Sequence, residues 1–180
     1  MKTCFYFAGD FPMMIAMKFL TTAICGVLIT SLTVFAGDDA GIIGIEVKDN
    51  VKVVYHIKVA EVRADGVGKG VAELSHLVRL FNEQGATAEK RDIHAVFDAD
   101  GVQFALNDEA YSRLGKGDTN PNAALIAELI SEGVAIEVCG QRLERDKLTA
   151  SALLPGTKVV LGGQPRVIDL QLRKYAYFRF

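Results

Sequence analysis

Cys139 is the residue of this sequence whose type and position best suit nucleophilic chemistry. It follows residues 134–138, a short run of mostly apolar, β-branched residues that predicts a buried strand. Gly140 and Gln141 then open a segment with helical character, so the thiol is expected at the carboxyl end of a strand, where open α/β sheets place their ligands. A helix that begins near Gln141 would turn its amino end towards the sulfur and favour the thiolate. The alternative is a small buried hydrophobe, because free cysteine is among the most buried residue types.

The neighbours of the cysteine carry features that bear on nucleophilic chemistry, which needs a thiolate, an exposed sulfur and room for a reaction partner. Gly140 removes side-chain bulk beside the sulfur, and Gln141 could donate a hydrogen bond to a sulfur anion. Arg142 and Arg145 could raise the local positive potential, although the charge pattern favours a solvated helical face. Glu137 shares a strand face with the cysteine, and its charge would oppose the thiolate.

Neither a metal site nor a cofactor is predicted. His56, His76 and His94 are scattered along the chain without the paired spacing of metal ligands. His56 is interpreted as a core histidine of the first strand. Residues 66–70 contain a Gly-Lys pair, but they lack the serine or threonine and the glycine spacing of a phosphate loop, so they are interpreted as a connection. Residues 98–101 have the composition of a turn that ends a strand.

The amino-terminal part of the chain has the pattern of a secretory signal peptide. Lys18 precedes an apolar run over residues 19–35, and Ala36 and Gly37 flank the expected cut. Residues 1–36 are therefore predicted to be a signal peptide with an upstream extension, and initiation at Met17 would give one of normal length. An uncleaved membrane anchor is the alternative, but the small residues Ala36 and Gly37 at the end of the apolar run favour cleavage. We expect a periplasmic or secreted protein with no stable membrane insertion after cleavage.

Cleavage would remove Cys4 and Cys25 and leave Cys139 as the one cysteine of the exported chain. An odd cysteine in an exported protein indicates a reactive thiol or intermolecular pairing. The 180 residues suit one domain, and a net charge of −2 with interspersed signs argues against a nucleic-acid surface.

The rest of the chain alternates strand and helix patterns. Residues 37–50 are predicted to be a lead-in segment, and residues 51–180 a single α/β domain. Strands are predicted over residues 51–59, 88–97, 134–138, 157–161 and 175–180, with helical segments between them, including one over residues 102–114 and two short ones over 142–147 and 149–154. This alternation predicts three layers, α/β/α, with a mostly parallel sheet of about five strands.

The sequence resembles the DsrE/DsrF-like family of sulfur metabolism, and within it the exported branch. The resemblance rests on residues 53–57 of the first strand, on Cys139-Gly140-Gln141, on residues 153–156 before the fourth strand, and on the arrangement of residues 162–177. One departure is that Asp98-Ala99 stands where many relatives have His-Gly after the second strand.

The resemblance implies a five-stranded parallel α/β/α fold, a homo-oligomer, and a persulfide carried on Cys139. Gly140 and Gln141, as the neighbours of the sulfur, are the predicted substrate-binding residues. The partners would be a sulfur donor or acceptor, either a protein or a small sulfur compound, and the activity that of a sulfurtransferase or sulfur carrier. The alternative is a non-catalytic oligomeric binding module in which the cysteine is structural.

Overall fold

In the computed structural model of the protein, residue 41 and residues 43–180 are described. The predicted signal peptide, with Cys4 and Cys25, lies outside these described residues. Residues 43–50 form no helix or strand and are mostly exposed, although the Ile45 amide donates to Gln84 Oε1 at 2.7 Å. No helix in the described part of the chain is both long enough and apolar enough to span a membrane.

Strands and α-helices alternate along most of the described chain. Their order is β1 Val51–Ile57, α1 Lys69–Glu83, β2 Arg91–Phe97, α2 Asp108–Arg113, α3 Ala123–Ser131, β3 Ala135–Cys139, α4 Gly140–Arg145, β4 Lys158–Val160, α5 Gly163–Leu172 and β5 Ala176–Arg179. The five strands form one parallel sheet in the order β4-β3-β2-β1-β5. The predicted α/β fold with a five-stranded parallel sheet is confirmed, including the strand near the carboxyl end of the chain.

Three predicted segments contain 3₁₀ turns in the structure, and the ends of the other elements differ from the prediction by a few residues. The second strand begins at Arg91 instead of residue 88, because Ala88–Lys90 forms a 3₁₀ turn. The helix predicted over residues 102–114 is a 3₁₀ segment, Ala99–Ala105, followed by α2, whose start is capped by the Asn107 side chain accepting from the Ala110 amide. The short helical piece after Thr149 is also 3₁₀, over Ala150–Ala152.

Alternating strand residues face two cores of different size. Ile93, Ala95 and Phe97 of β2 point into the larger core, with α1, α2, α3 and α4 packed over it. The smaller core lies under α5 and consists of five residues: Val54, Val96, Val167, Leu170 and Tyr175. Both faces of the sheet are therefore covered, as parallel sheets require.

The chain leaves neighbouring strands β3 and β4 towards opposite faces of the sheet. After β3 it enters α4, whose buried Leu143 belongs to the larger core. After β4 it enters α5, whose Val167 belongs to the smaller core. Such a reversal opens a crevice at the carboxyl ends of the two strands, and ligands of open α/β sheets bind in crevices of this kind.

Candidate functional site

Cys139 lies at this crevice as the last residue of β3. The next residue, Gly140, begins α4, so the predicted strand end and helix start are both found. The cysteine is buried, with 4% of its surface exposed, and part of it contacts the larger core. Gly140 was predicted to leave space beside the sulfur. In the structure its missing side chain leaves room for β4, because a Cβ at this position would lie 3.0 Å from the Val160 carbonyl oxygen.

The buried cysteine lines an open cavity of about 350 Å³ at the carboxyl edge of the sheet. The other polar side chains around the cavity come from the ends of several elements. They comprise three cations, one carboxylate and two amides: Lys58, Arg142, Arg145, Asp98, Gln141 and Gln164. Gln141, predicted to contact the substrate, is thus part of the cavity wall, whereas Gly140 is behind it.

The three cations differ in how far neighbouring acids balance their charge. Arg142 donates from Nε to Asp146 at 2.6 Å and from Nη1 to Asp100 at 2.8 Å. Arg145 is exposed and comes no nearer than 3.9 Å to the Asp146 carboxylate. Lys58 forms no ion pair with any of the described residues. Lys58 and Arg145 therefore leave positive charge available at the cavity.

The carboxylate of the cavity, Asp98, lies beside Cys139 on the adjacent strand. Phe97 of β2 pairs with Val138 of β3, so the next position along each strand places Asp98 next to the cysteine. Asp98 is 9% exposed, and its Oδ1 accepts from the Ala99 amide at 2.7 Å. Its Oδ2 lies 3.5 Å from Nε2 of the buried His56, at the end of β1.

Glu137 was expected to place a negative charge near the thiol, but its charge is balanced on the α5 face of the sheet. Arg166 donates to it from Nε at 2.7 Å and from Nη2 at 2.8 Å, and His94 Nδ1 lies 2.7 Å away. Burial would raise the pKa of the Glu137 carboxyl, but these hydrogen bonds outweigh burial and lower the pKa to about 2. Glu137 is a structural anion rather than a group that opposes the thiolate.

The histidines do not converge on Cys139. His94 contacts Asp92 and Glu137, and His76 lies exposed on α1 beside Arg79. No group of three or more histidine, cysteine, aspartate or glutamate side chains within the described residues is arranged to hold a metal ion.

Comparison with known proteins places this geometry in a family. The model of the DsrE/DsrF-like family matches residues 68–180, well over half of the chain. The chain belongs to the DsrE/DsrF-like family. The matched part includes Cys139 and the last four strands, whereas the resemblance of residues 53–57 lies outside it.

Solved structures of similar fold to this DsrE/DsrF-like chain include the following two. One is a protein of unknown function, MTH1491, from Methanobacterium thermoautotrophicum, with 21% identity, a TM-score of 0.54, and coverage of 73% of this chain and 100% of that one. The other is the ychN protein from E. coli, with 15% identity, a TM-score of 0.53, and coverage of 72% and 99%. At these identities the likeness shows the fold alone. The search of curated proteins gave no match.

The sequence pointed to Cys139 as a candidate and favoured a solvated helical face for Arg142 and Arg145, which line the cavity beside it. Three other groups of the cavity were missed. Asp98 was interpreted as part of a turn, and Lys58 and Gln164 were not considered. A usable signal exists for each: Asp98 directly follows the second predicted strand, Lys58 lies near the end of the first, and Gln164 lies in the first turn of the helix after the fourth. Carboxyl ends of parallel strands meet at one edge, so these positions were candidates once the sheet was predicted to be parallel.

Ala99, the first residue of the 3₁₀ segment after β2, has a positive φ of 47°. Side chains cost about 1–2 kcal/mol in this left-handed region. Ala99→Gly removes that strain from the folded state. The greater freedom of glycine in the unfolded chain offsets about 0.4–1 kcal/mol of this gain. We expect the variant to be about 0.5–1 kcal/mol more stable in urea unfolding. Ala150→Gly, at an exposed residue of ordinary φ, should instead destabilise, and equal losses in both variants would contradict the strain at Ala99.

Proposed function

We propose that this DsrE/DsrF-like protein carries sulfur as a persulfide on Cys139. Family membership supports a sulfur-related role. The observation that carries the proposal is the position of Cys139 at the strand-end crevice, in the wall of a 350 Å³ cavity that also presents Lys58 and Arg145. A persulfide is an anion near neutral pH, and a cavity with unbalanced positive charge lowers the free energy of such an anion.

The transfer we propose is an exchange between two thiols and one sulfur atom. The Cys139 sulfur attacks the outer sulfur of a donor persulfide, and the bond between the two donor sulfurs breaks. A new S–S bond forms at Cys139, the thiol proton of Cys139 leaves, and the donor departs as a thiol after taking up a proton. Electrons and protons balance without an external oxidant, because sulfane sulfur passes from one thiol to another.

The cavity wall supplies contacts for both the sulfur and its donor. Gln141 and Gln164 can donate amide hydrogens into the cavity, and Arg145 with its high exposure can reach an incoming anionic group. Gly140 lets α4 begin close to β4, because a Cβ there would lie 3.0 Å from the Val160 carbonyl oxygen. Export of the protein and self-association, with the exposed edge strand β5 as one surface, belong to the same proposal.

Cys139→Ser is expected to abolish sulfur loading at residue 139. The full chain is treated with cysteine persulfide, digested, and the peptides containing Cys4, Cys25 and Cys139 are compared by mass spectrometry. A mass increase of one sulfur atom is expected on the Cys139 peptide of the wild type. The variant should fold with a stability loss of about 1–2 kcal/mol, because a hydroxyl replaces a buried thiol.

A matched control shows whether loading needs the cavity or only a thiol. Ser131 is an exposed residue of α3, so the double variant Cys139→Ser, Ser131→Cys presents a thiol away from the cavity. We expect that thiol to load at least about tenfold more slowly than Cys139 in the wild type. Loading of the two thiols at equal rates would remove any special role of the cavity.

A second function has one observation in its favour. Cys139 is 4% exposed and contacts the larger core, as expected for a binding module in which the cysteine only packs. In that case folded wild-type protein would resist alkylation of Cys139 up to alkaline pH and would acquire no sulfur.

A further inference from the structure

The cavity contains an acid–base pair that the proposed sulfur transfer does not yet use. Asp98 and Cys139 occupy adjacent positions at the ends of β2 and β3, and both line the cavity. A carboxylate beside this sulfur disfavours its anion, but the same carboxylate can accept the thiol proton. Its presence therefore needs an explanation.

The surrounding backbone holds the Asp98 side chain tightly in place. Its Oδ1 accepts from the Ala99 amide, and the first residue of α5 lies against its other side. That residue is Gly163, where a Cβ would lie 2.7 Å from Asp98 Cγ, so only glycine lets α5 approach this closely. Three elements, β2, the segment after it, and α5, thus fix the carboxylate next to Cys139.

Behind Asp98 lies a buried imidazole with an unused nitrogen. His56 is 4% exposed, and its Nε2 has no hydrogen-bond partner among the described residues, although Asp98 Oδ2 is 3.5 Å away. Its Nδ1 lies 3.3 Å from the Tyr177 hydroxyl, which can donate to it. We assign the imidazole proton to Nε2, facing the carboxylate.

The charges around the pair favour a neutral imidazole. Burial lowers the pKa of His56 below its usual value, and nearby Lys58 and Arg179 lower it further, while Asp98 opposes them. Arg142 and Arg145 line the same cavity as the carboxylate, and α5 contributes the uncharged Gln164. A neutral His56 that donates from Nε2 fits these surroundings.

We infer that Asp98 takes the proton of Cys139 during sulfur transfer, and that His56 is its positioning residue. This inference rests on the proposed persulfide function. As the Cys139 sulfur forms its bond to the outer sulfur of the donor persulfide, its proton passes to Asp98. The donor S–S bond breaks, and Asp98 returns the proton to the departing thiolate. His56 holds the carboxylate in the orientation that faces the sulfur.

Asp98→Asn separates proton transfer from simple charge repulsion, because the two roles change two rates in opposite directions. With cysteine persulfide as donor, loading of Cys139 should fall about a hundredfold, as expected for loss of a general base. Alkylation of Cys139 by iodoacetamide at neutral pH should rise severalfold, because the thiolate no longer faces a negative charge. Glu144→Gln removes the same charge from an exposed site on α4 and should change neither rate by more than about twofold.

His56→Asn, which leaves the carboxylate in place, is a second and independent arm. We expect its loading rate to fall about tenfold while alkylation stays within about twofold of the wild type. Undiminished loading in both variants overturns the inference, as does a parallel fall of loading and alkylation, which marks a purely structural role. A rise of both rates in Asp98→Asn shows repulsion alone and also overturns it. Wild-type protein that acquires no sulfur overturns the proposed function, and the inference with it.

Discussion

Arg166→Met is expected to destabilise the protein by about 3–5 kcal/mol, the range for removing one partner of a buried ion pair. The Glu137 side chain is only 5% exposed, and Arg166 supplies two of its three short contacts. Methionine fills similar volume but leaves the carboxylate with His94 alone. The free energy of unfolding in urea at neutral pH measures the loss.

This loss should depend on pH in a direction set by the Glu137 carboxyl. Its pKa is about 2 in the folded wild type, against an ordinary 4.5. A lowered pKa stabilises the folded state above about pH 5, and this contribution, about 3 kcal/mol, is lost as the pH falls towards 2. In Arg166→Met the carboxyl is protonated more readily, so the difference in stability between wild type and variant should shrink between pH 5 and pH 3.

Two controls test the assignment of this effect to the buried pair. Arg79→Met breaks an exposed ion pair with Glu83 and should cost less than about 0.5 kcal/mol. The double variant Glu137→Met, Arg166→Met should be more stable than Arg166→Met alone, because no unpaired buried charge is left. Equal stabilities of Arg166→Met and Arg79→Met would show that the Glu137 network contributes little.

Most of the fold could be predicted because strand and helix periodicity is local information. Ile93, Ala95 and Phe97 alternate in the sequence and all three are buried on one face of β2. Segment boundaries were predictable only within a few residues, because the 3₁₀ turn of Ala88–Lys90 satisfies the backbone as well as an earlier strand start would. The pattern of apolar residues alone does not distinguish a 3₁₀ turn from an earlier strand start.

The site was less predictable, because its parts converge from distant positions in the chain. Cys139 was found from its own neighbours, since strand, cysteine and glycine follow one another. Asp98 looked like a turn residue because its local sequence is that of a turn. Its meeting with His56 and Gly163 depends on the order of strands and on the α5 approach, which no local pattern contains. The balancing of Glu137 by Arg166 was hidden for the same reason.

Gly101→Ala is expected to destabilise the protein by about 3 kcal/mol, at the upper end of the cost of overpacking. A Cβ at this position would lie 2.4 Å from the Ile57 carbonyl oxygen and 2.9 Å from the Ile57 carbonyl carbon. Both are backbone atoms at the end of β1, so neither can turn aside as a flexible side chain would. The end of β1 or the segment after β2 must move.

That movement should also reach the cavity. The Gly101 amide donates to the Lys58 carbonyl at 3.2 Å and to the Asp98 carbonyl at 3.0 Å, so the clash lies between two residues of the cavity wall. We therefore expect sulfur loading of Cys139 to fall together with stability, and the alkylation rate of Cys139 to change as well. In Asp98→Asn, by contrast, loading and alkylation are expected to change in opposite directions.

Gly115→Ala is the matched control, because Gly115 has space for a Cβ but an unfavourable φ for alanine. A Cβ at Gly115 meets no atom within 4 Å, but its φ is +67°, so only backbone strain of about 1 kcal/mol is expected. Gly101 has a φ that alanine can adopt, but a Cβ there would collide with neighbouring atoms. Urea unfolding of both variants should therefore show the larger loss for Gly101→Ala. If Gly101→Ala lost no more than Gly115→Ala, the junction of β1 with the segment after β2 would be more adaptable than its close contacts imply, and the cavity would not depend on a fixed position of Asp98 and Lys58.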